Sequence, residues 1–375
     1  MKELKIAFCL FKYFPYGGLQ KNLLQIAEVC VKHGHQVDVY SCFWTGDIPE
    51  DLRVSILPVR GFSNHRRLKS FARRLGKVFS SSHYDCVVGF NKLPGLDVYY
   101  AGESCLAAKA HERSIWYRLT GRCRTFLRFE KAVFGKESKT QILLISEQEK
   151  ALYTLYYGTP ERRFHFLPPG LGKDLLASQD STQKRAELCY EFSIGLDQNI
   201  ILMVGSGFKT KGVDRAIRAI ASLPSEVVGG TILLVVGEDK TRPFRRLAKR
   251  LGVEGQMRFA GGRGDVDRFY RAADLLIHPA YRENTGTALI EAMAAGLPVL
   301  ATDVCGYGFH IERAGAGKLV PSPFRQETLD QMLAGMLVSE KKNQWQSNGK
   351  EYVANMDVFS RPEKAAGIIE QVATW

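Results

Sequence analysis

LLIHPAYRENTGTALIEAMAAGLPVLAT, residues 275–302, joins two short apolar runs through a polar loop and a stretch of helix-forming residues. Leu275–Pro279 is typical of a buried parallel strand, and Val299–Thr302 is typical of the next one. Between them, Ala288–Ala295 is rich in strong helix formers, and Gly296 stands where a helix commonly ends. The stretch therefore predicts a strand, loop, helix and strand of an open α/β sheet.

Two carboxylates bracket the start of this predicted helix, Glu283 in the loop and Glu291 within the helix. Helix N-termini at the carboxyl edge of a parallel sheet bind anions, and the amides of Thr285–Ala288 would point there. Carboxylates suit the hydroxyls of a sugar attached to such an anion, because they accept strong hydrogen bonds. Their spacing alone is equally compatible with no binding role, in which case Glu283 is a solvated loop acid and Glu291 an exposed helix acid. The rest of the chain decides between these two interpretations.

Length and composition indicate a globular protein with an anionic partner. At 375 residues two domains are expected. No apolar run approaches the ~20 residues of a membrane span, and the first residues do not resemble a signal peptide. Eight cysteines without a CxxC pair indicate reduced thiols in the cytoplasm. The net charge is +13, and residues 1–180 hold 27 Lys/Arg against 17 Asp/Glu. Nucleic acid, an anionic membrane and an anionic acceptor are candidate partners.

The first half of the chain begins with a βαβ pattern. Leu4–Leu10 and Gln36–Cys42 are predicted strands, and Leu19–Lys32 is the helix between them. Gly17 and Gly18 stand at the first turn, where they would allow a ligand to approach the backbone closely, although an ordinary tight turn explains the pair as well. The G-x-G-x-x-G fingerprint and the acid on the second strand are both absent, which disfavours NAD binding.

Basic residues are concentrated in two later stretches of this half. Arg60–Lys77 has seven basic residues and no acid. Residues 89–105 are predicted to form a glycine-rich loop carrying Asp97 and Glu103. Residues 105–140 have nine basic and three acidic residues interleaved with aromatics. We expect a basic helix lying on an anionic membrane, the alternative being a helix whose aromatics pack on the sheet. The expected membrane contacts are Arg113, Trp116, Arg118, Arg122, Arg124 and Arg128.

Pro168-Pro169-Gly170 is the predicted domain boundary, followed by a connector and helix over Asp174–Phe192. The strand Asn199–Val204 then leads into a glycine-rich turn with Lys209 and Lys211, which suit a phosphate. The expected domains are residues 1–168 and 169–358, with a helix in 359–375. A nucleotide sugar accounts for the glycine turns, lysines and glutamates together. No His/Asp cluster is present, and no metal is expected.

The segment YRENTGTALIEAMAAGLPVLAT, residues 281–302, resembles the Glu–seven–Glu motif of the retaining GT-B-fold glycosyltransferases. The resemblance implies two Rossmann-like doubly wound domains facing across a cleft, with the C-terminal helix crossing back to the first domain. FCLFKYFPYGGLQKN, GFNKLPGLDVYYA, LPPG, KGVDRAI, AADLLIHPAY and VCGY resemble the branch of this family that builds the lipopolysaccharide core. That branch implies transfer of glucose from UDP-glucose to a heptose of the inner core in an α-1,3 linkage.

The resemblance also implies roles for individual residues. The glucose hydroxyls would be held by Glu283, Asn284, Thr285, Gly286 and Thr287, the ribose by Glu291, the diphosphate by Gly17, Gly18 and Lys211, and the uracil by Arg263. Glu103 or Asp97 is expected on the acceptor side, and Glu283, Lys211 and Glu103 are the expected catalytic residues. Where the family usually has an arginine this chain has Ser206, and Lys209 is the candidate replacement.

Retention in this family implies front-face attack, although a covalent route through a nearby carboxylate stays open. Two other functions also stay open: a transferase of the same fold using UDP-N-acetylhexosamine, and a basic nucleic-acid-binding protein. The resemblance implies no cofactor and no nucleic acid. It also implies a lipid-linked anionic oligosaccharide as acceptor, and a cytoplasmic protein that is peripheral on the inner face of the bacterial inner membrane.

Overall fold

The computed structural model describes residues 2–15, 17–172 and 181–375. The chain forms two compact units, which divide between Pro168 and Pro169. Unit 1 contains residues 1–168 together with the C-terminal Ser360–Trp375, and unit 2 contains Pro169–Phe359. The connector helix expected from Asp174 is observed from Ser181, and the part before that residue lies outside the described ranges.

Unit 1 is built on a seven-stranded parallel sheet of order β3-β2-β1-β4-β5-β6-β7. Its elements are β1 (Lys5–Leu10), α1 (Gly18–Lys32), β2 (Gln36–Ser41), β3 (Arg53–Ile56), α2 (Asn64–Ser81), β4 (Cys86–Gly89), β5 (Val98–Tyr100), α3 (Leu106–His111), α4 (Ile115–Leu119), α5 (Gly121–Phe134), β6 (Gln141–Leu144), α6 (Glu147–Tyr157) and β7 (Phe164–Phe166).

Both faces of this sheet are buried, as the continuous apolar run of β1 predicts. Ile6, Phe8 and Leu10 pack in one core with the apolar face of α1. Ala7 and Cys9 point to the other core, which includes the buried faces of α2 and α5. The helices α2 and α5 therefore lie on the same side of the sheet and contact each other.

Unit 2 repeats the arrangement on a six-stranded parallel sheet of order β10-β9-β8-β11-β12-β13. Its elements are α7 (Ser181–Phe192), β8 (Asn199–Val204), α8 (Phe208–Lys211), α9 (Val213–Ala221), α10 (Ser225–Val228), β9 (Thr231–Val236), α11 (Arg242–Arg250), β10 (Met257–Gly261), α12 (Val266–Ala272), β11 (Leu275–His278), α13 (Thr287–Ala294), β12 (Val299–Thr302), α14 (Gly308–Ala314), β13 (Gly317–Val320), α15 (Gln326–Leu337) and α16 (Lys342–Ala354). The predicted pair of doubly wound sheets is confirmed.

Two predictions for unit 1 are wrong. Residues 89–105 are not wholly a loop, because β5 lies within them and pairs with β4 and β6. A strand of three residues between glycines is too short for its periodicity to show in sequence. Residues 105–140 form three helices, α3, α4 and α5, instead of one. The breaks fall at Arg113-Ser114 and at Thr120, whose hydroxyl accepts from the Cys123 amide and so starts a new helix.

The last helix, α17 (Arg361–Ala373), belongs to unit 1 and packs on α1 and β4. Its buried Ala365, Ala366 and Ile369 join the core that also contains Phe8. Arg361 is buried at the helix start and donates to the Pro168 carbonyl at 2.6 Å. The helix thus contributes apolar surface to a core formed mainly by residues far from it in sequence.

We predict that Ile369→Ala destabilises unit 1 by about 2–5 kcal/mol, because it leaves a cavity in a fully buried site. Amide hydrogen exchange should accelerate in β1 and β4 while the strands of unit 2 keep their protection. The exposed Gln371→Ala on the same helix is the control, with a change below about 0.5 kcal/mol. Faster exchange confined to unit 2 would contradict the placement of this helix.

Candidate active site

The sheet of unit 2 reverses its strand order between β8 and β11, and ligands of open α/β sheets bind beyond the carboxyl ends of strands at such a point. The loops after these two strands touch there. Gly212 follows α8 with φ +80°, and a Cβ on it would lie 2.0 Å from the Pro279 carbonyl oxygen. Only glycine allows this approach, which brings Lys211 beside the loop carrying Glu283.

Glu283 lies at the centre of this contact and is largely buried. Its Oε2 accepts hydrogen bonds from Lys211 Nζ and from His278 Nε2, the latter at 3.0 Å. Its backbone forms a parallel bridge with Cys305, in the loop after β12. Three loops at one sheet edge therefore fix a single carboxylate. We refer to Lys211, His278 and Glu283 as the Glu283 cluster.

The protonation states of this cluster follow from its burial and contacts. Burial alone would raise the pKa of Glu283, but the hydrogen bond from His278 and the positive charge of Lys211 outweigh it and lower the pKa to about 2. Burial lowers the pKa of His278, despite its bond to Glu283. At neutral pH the cluster therefore contains a carboxylate on Glu283 and a neutral imidazole on His278.

Sequence reasoning missed His278. Its ring is completely buried, and Nδ1 has no hydrogen-bond partner among the described residues. The proton of the neutral ring is therefore on Nε2, where it is donated to Glu283. The signal available in the sequence was a histidine at the last position of an otherwise apolar strand, five residues before Glu283. A polar side chain at that position points to the carboxyl edge of the sheet.

The helix after Glu283 starts as the sequence indicates, and its N-cap is Gly286, which has no side chain to cap it. The preceding loop is packed into the protein: Asn284 and Thr285 are buried, and the Thr285 carbonyl accepts from the Tyr307 amide at 2.7 Å. Amides of Thr287 and its neighbours at the helix start thus face the same sheet edge as the Glu283 cluster. This arrangement suits an anion.

Glu291 lies on the same helix, α13, and accepts from the Tyr270 hydroxyl at 2.6 Å. Its side chain is half-buried, so it is not the freely solvated helix acid that spacing left open. Arg263, the expected uracil contact, is held by Asp265 through Nε at 2.8 Å and Nη2 at 2.9 Å, and by Glu191 at 2.9 Å. These acids fix the plane of the guanidinium and raise its pKa, with the bond to Asp265 as the main cause.

Lys209 is not part of the Glu283 cluster. Its side chain is 71% exposed, and Nζ donates to Asp214 at 2.7 Å and to the Tyr281 hydroxyl at 3.3 Å. Ser206, which stands where the family usually has an arginine, accepts from the Glu238 amide at 3.1 Å. Of the two lysines, only Lys211 contacts the carboxylate. The described residues contain no group of three or more His, Cys, Asp and Glu side chains arranged for a metal.

In unit 1, Gly17 and Gly18 follow β1, which lies beside β4 where that sheet reverses its strand order. Gly17 is the N-cap of α1 and has no side chain to cap the helix. Space is open around the Cα of Gly18, with nothing within 4 Å of an added Cβ. Gln20 covers Gly17 instead. The first turn of α1 is therefore accessible through Gly18.

Glu103 and Asp97 lie at opposite ends of β5. Glu103 follows the strand at the carboxyl edge of the sheet and accepts from Asn91 Nδ2 at 3.1 Å. Asp97 precedes the strand, and its carboxylate accepts from the Val87 amide at 2.8 Å. Asp97 therefore stabilises the amino edge of the sheet, and its assignment to the acceptor side is wrong. The prediction for Asp97 failed because the intervening strand was not recognised.

The expected membrane segment exposes apolar and basic side chains together. Trp116 is 77% exposed, and Ile115 and Leu119 beside it are exposed too. The expected basic contacts are also exposed, namely Arg113, Arg118, Arg122, Arg124 and Arg128. Phe129 and Phe134 of α5 are buried in the core, as the alternative of packing on the sheet requires. No helix in the described ranges is long and apolar enough to cross a bilayer.

Comparison with known proteins places these features in a family. Residues 189–352 match the family described as glycosyl transferases group 1, and residues 16–174 match glycosyltransferase family 4. The lipopolysaccharide glucosyltransferase WaaG of Escherichia coli K12 is 43% identical over 366 residues, which cover 97% of this chain and 98% of the relative. The chain therefore belongs to the glycosyltransferase family that includes this relative.

Solved structures show that this glycosyltransferase has the GT-B fold. The crystal structure of WaaG, a glycosyltransferase involved in lipopolysaccharide biosynthesis, superposes with a TM-score of 0.94 at 42% identity, covering 97% of this chain and 99% of that one. A sucrose-phosphate synthase from Thermosynechococcus elongatus gives a TM-score of 0.80 at 20% identity, covering 98% and 99%. The latter likeness concerns the fold alone.

We predict that His278→Leu weakens the acid sensitivity of unit 2. The unfolded chain binds a proton on His278 more readily than the folded chain does, so stability is lost as pH falls below the ordinary imidazole pKa of about 6.5. This residue accounts for up to about 1.4 kcal/mol of the loss between pH ~7.5 and ~5.5. Denaturant unfolding of wild type and variant at both pH values measures the difference.

The control is Thr302→Val, another buried residue of this region, whose hydroxyl donates to the Ala280 carbonyl at 2.9 Å. It should lower the free energy of unfolding equally at both pH values, because threonine does not titrate. An unchanged pH dependence in His278→Leu would show that the histidine is charged in the folded protein.

Proposed function

We propose that this glycosyltransferase transfers glucose from UDP-glucose to a heptose of the lipopolysaccharide inner core, forming an α-1,3 linkage with retention. The observation that carries the proposal is the Glu283 cluster at the switch point of the second sheet. WaaG of Escherichia coli, similar over nearly the whole chain, is named a lipopolysaccharide glucosyltransferase, which supports this donor and acceptor.

In the proposed complex, the Glu283 carboxylate accepts hydrogen bonds from glucose hydroxyls. It is suited to this because it is ionised at neutral pH and fixed by His278. Asn284, Thr285, Gly286 and Thr287 line the same loop and helix start. The diphosphate would lie against the amides of this helix start and against Lys211. Lys211 would then exchange Glu283 for a phosphate oxygen, leaving the carboxylate free for the sugar.

Glu291 and Arg263 would hold the nucleoside. Glu291 is oriented by the hydrogen bond from Tyr270. A carboxylate oriented in this way can accept hydrogen bonds from the two vicinal hydroxyls of a ribose. The planar guanidinium of Arg263 is fixed by Asp265 and Glu191, so one of its faces can stack on uracil. In unit 1, the open space at Gly18 would allow a ligand to approach the backbone at the start of α1. Lys209, whose side chain is mostly exposed, would contribute only positive charge near the donor site.

The transfer itself breaks the bond between glucose C1 and the phosphate oxygen and forms a bond from C1 to the acceptor oxygen. UDP leaves with the bonding electron pair, and the acceptor proton passes to the departing phosphate in a front-face reaction. Lys211 and the helix amides stabilise the charge that develops on that phosphate. The proposal needs no metal. Glu103, at the carboxyl edge of the first sheet, would orient the acceptor hydroxyl.

The acceptor is proposed to be a lipid-linked anionic oligosaccharide, reached from the inner face of the inner membrane. The exposed Trp116, with Ile115 and Leu119, would enter the headgroup region, and Arg113, Arg118, Arg122, Arg124 and Arg128 would attract anionic lipid. The segment is joined to Glu103 by one short stretch of chain. Membrane contact and acceptor binding would therefore take place at the same edge of unit 1.

A panel of nucleotide sugars tests the donor. Purified enzyme should consume UDP-glucose, and Glu283→Ala should lose at least ~100-fold in turnover, since a fixed hydrogen-bond acceptor for the transferred sugar is removed. Glu312→Ala, an exposed acid on α14, is the matched control and should turn over normally.

Exclusive use of UDP-N-acetylhexosamine would overturn the assignment to glucose while leaving the transferase activity intact. Near-normal turnover of UDP-glucose by folded Glu283→Ala would overturn the role of the carboxylate.

A further inference from the structure

The basic residues of α2 form a straight stripe. Arg66, Lys69, Arg73 and Lys77 are spaced by three, four and four residues, which places them within an arc of about 80° on an α-helix. Leu68, Phe71 and Leu75, the buried residues of the helix, lie on the opposite side. The four basic residues are exposed and point directly away from the sheet. Their arrangement is a second concentration of positive charge, separate from the segment 113–128.

This charge pattern does not serve the stability of the helix. No acidic residue occurs between Asn64 and Ser81, so neighbouring cations along the stripe repel each other without relief. Of the stripe, Arg66 lies in the first turn, where the helix dipole disfavours a cation, and the last turn has no basic residue. The stripe thus lacks neighbouring acids and does not follow the helix dipole. A partner that neutralises its positive charge explains this arrangement.

An exposed aromatic residue precedes the stripe. Phe62 is fully exposed, yet the loop that carries it is held in place. Gly61 has φ +143°, which side-chain-bearing residues rarely adopt, and its carbonyl accepts from Arg67 Nε at 2.8 Å. Phe62 is therefore presented at the start of the basic stripe. An exposed apolar side chain beside cations matches the boundary between lipid headgroups and acyl chains.

The stripe is close to the first membrane segment. The loop carrying Phe62 follows β3 and the chain reaching Trp116 follows β5, so both leave the same carboxyl edge of one parallel sheet. The helices α2 and α5 pack on the same face of that sheet and touch. A planar surface in contact with Trp116 would therefore lie on the side of the sheet where α2 is found.

We propose that Phe62 and the α2 stripe form a second contact with an anionic lipid surface. This deepens the proposed function, since it rests on membrane attachment of unit 1. Two linked contacts hold a surface more tightly than either alone, because the second binds at high effective concentration. The second contact also fixes the rotation of unit 1 on the membrane, which a single helix does not.

Another basic helix provides a matched control. The helix α11 of unit 2 carries exposed Arg242, Arg246, Lys249 and Arg250. Two of these, Lys249 and Arg250, lie in the last turn, where the helix dipole favours them. None of the nine residues of α11, all of them described, exposes a large apolar side chain. Neutralising these four residues removes the same charge as neutralising the stripe.

The experiment compares full-length variants in co-sedimentation with vesicles of equal parts phosphatidylcholine and phosphatidylglycerol. The stripe variant carries Arg66→Gln, Lys69→Gln, Arg73→Gln and Lys77→Gln, and should bind at least ~10-fold more weakly than wild type. Phe62→Ser should weaken binding several-fold. The same four glutamine substitutions on α11 should change it less than ~2-fold, since only a local loss of charge matters. A stripe variant that matches the α11 variant overturns the proposal.

Two further arms separate the sources of phosphate and the two proposals. Binding of inorganic polyphosphate should be unaffected by Phe62→Ser. A different result would be that Phe62→Ser leaves vesicle binding unchanged as well, while the stripe variant loses binding of both vesicles and polyphosphate. In that case the stripe is a site for soluble phosphate and the lipid assignment is wrong. Replacing Arg122, Arg124 and Arg128 by glutamine tests the first segment. Loss of vesicle binding in that variant alone leaves the proposed function standing and overturns the second contact.

Discussion

A buried carboxylate must be neutralised by the groups around it, and in this glycosyltransferase that requirement organises the candidate active site. Burial disfavours the charged form of Glu283, so its ionisation depends on Lys211 and His278. Lys211 reaches it only because Gly212 lets two loops touch. His278 comes from the end of a central strand. One acid thereby fixes three loops, and a polar group fixed before the substrate binds costs no reorganisation during the reaction.

Unit 1 also contains a buried carboxylate that is held ionised by a lysine and by hydrogen bonds. Glu130 of α5 is fully buried and accepts from the amides of Leu106 and Ala107 at 2.8 Å each, and also from Lys92. Burial would raise its pKa, but the positive charge of Lys92 and these bonds lower it, so Glu130 is ionised. The acid ties α5 to the start of the chain that follows Glu103. The buried end of the proposed membrane segment and the proposed acceptor side are therefore held by one ion pair.

Much of this fold could be predicted from sequence, because buried parallel strands are continuous apolar runs and glycines mark the ends of the helices between them. Glu283, Glu291 and Lys211 could be placed at one sheet edge for the same reason. The bond between Lys211 and Glu283 could not be predicted, since it depends on contact between loops 72 residues apart in sequence. Asp97 was misplaced because β5 is three residues long, and the role of His278 required knowing that its ring is buried.

We propose that Lys211 is shared between Glu283 and the phosphates of the donor. Calorimetric titration of UDP, which lacks the sugar, into wild type, Lys211→Met and Glu283→Gln tests it most directly. Lys211→Met should weaken UDP binding at least ~10-fold, because a charge-assisted contact is lost. Glu283→Gln should bind UDP as tightly as wild type or more tightly, because the lysine is released from its carboxylate. Equal weakening in both variants would contradict the account.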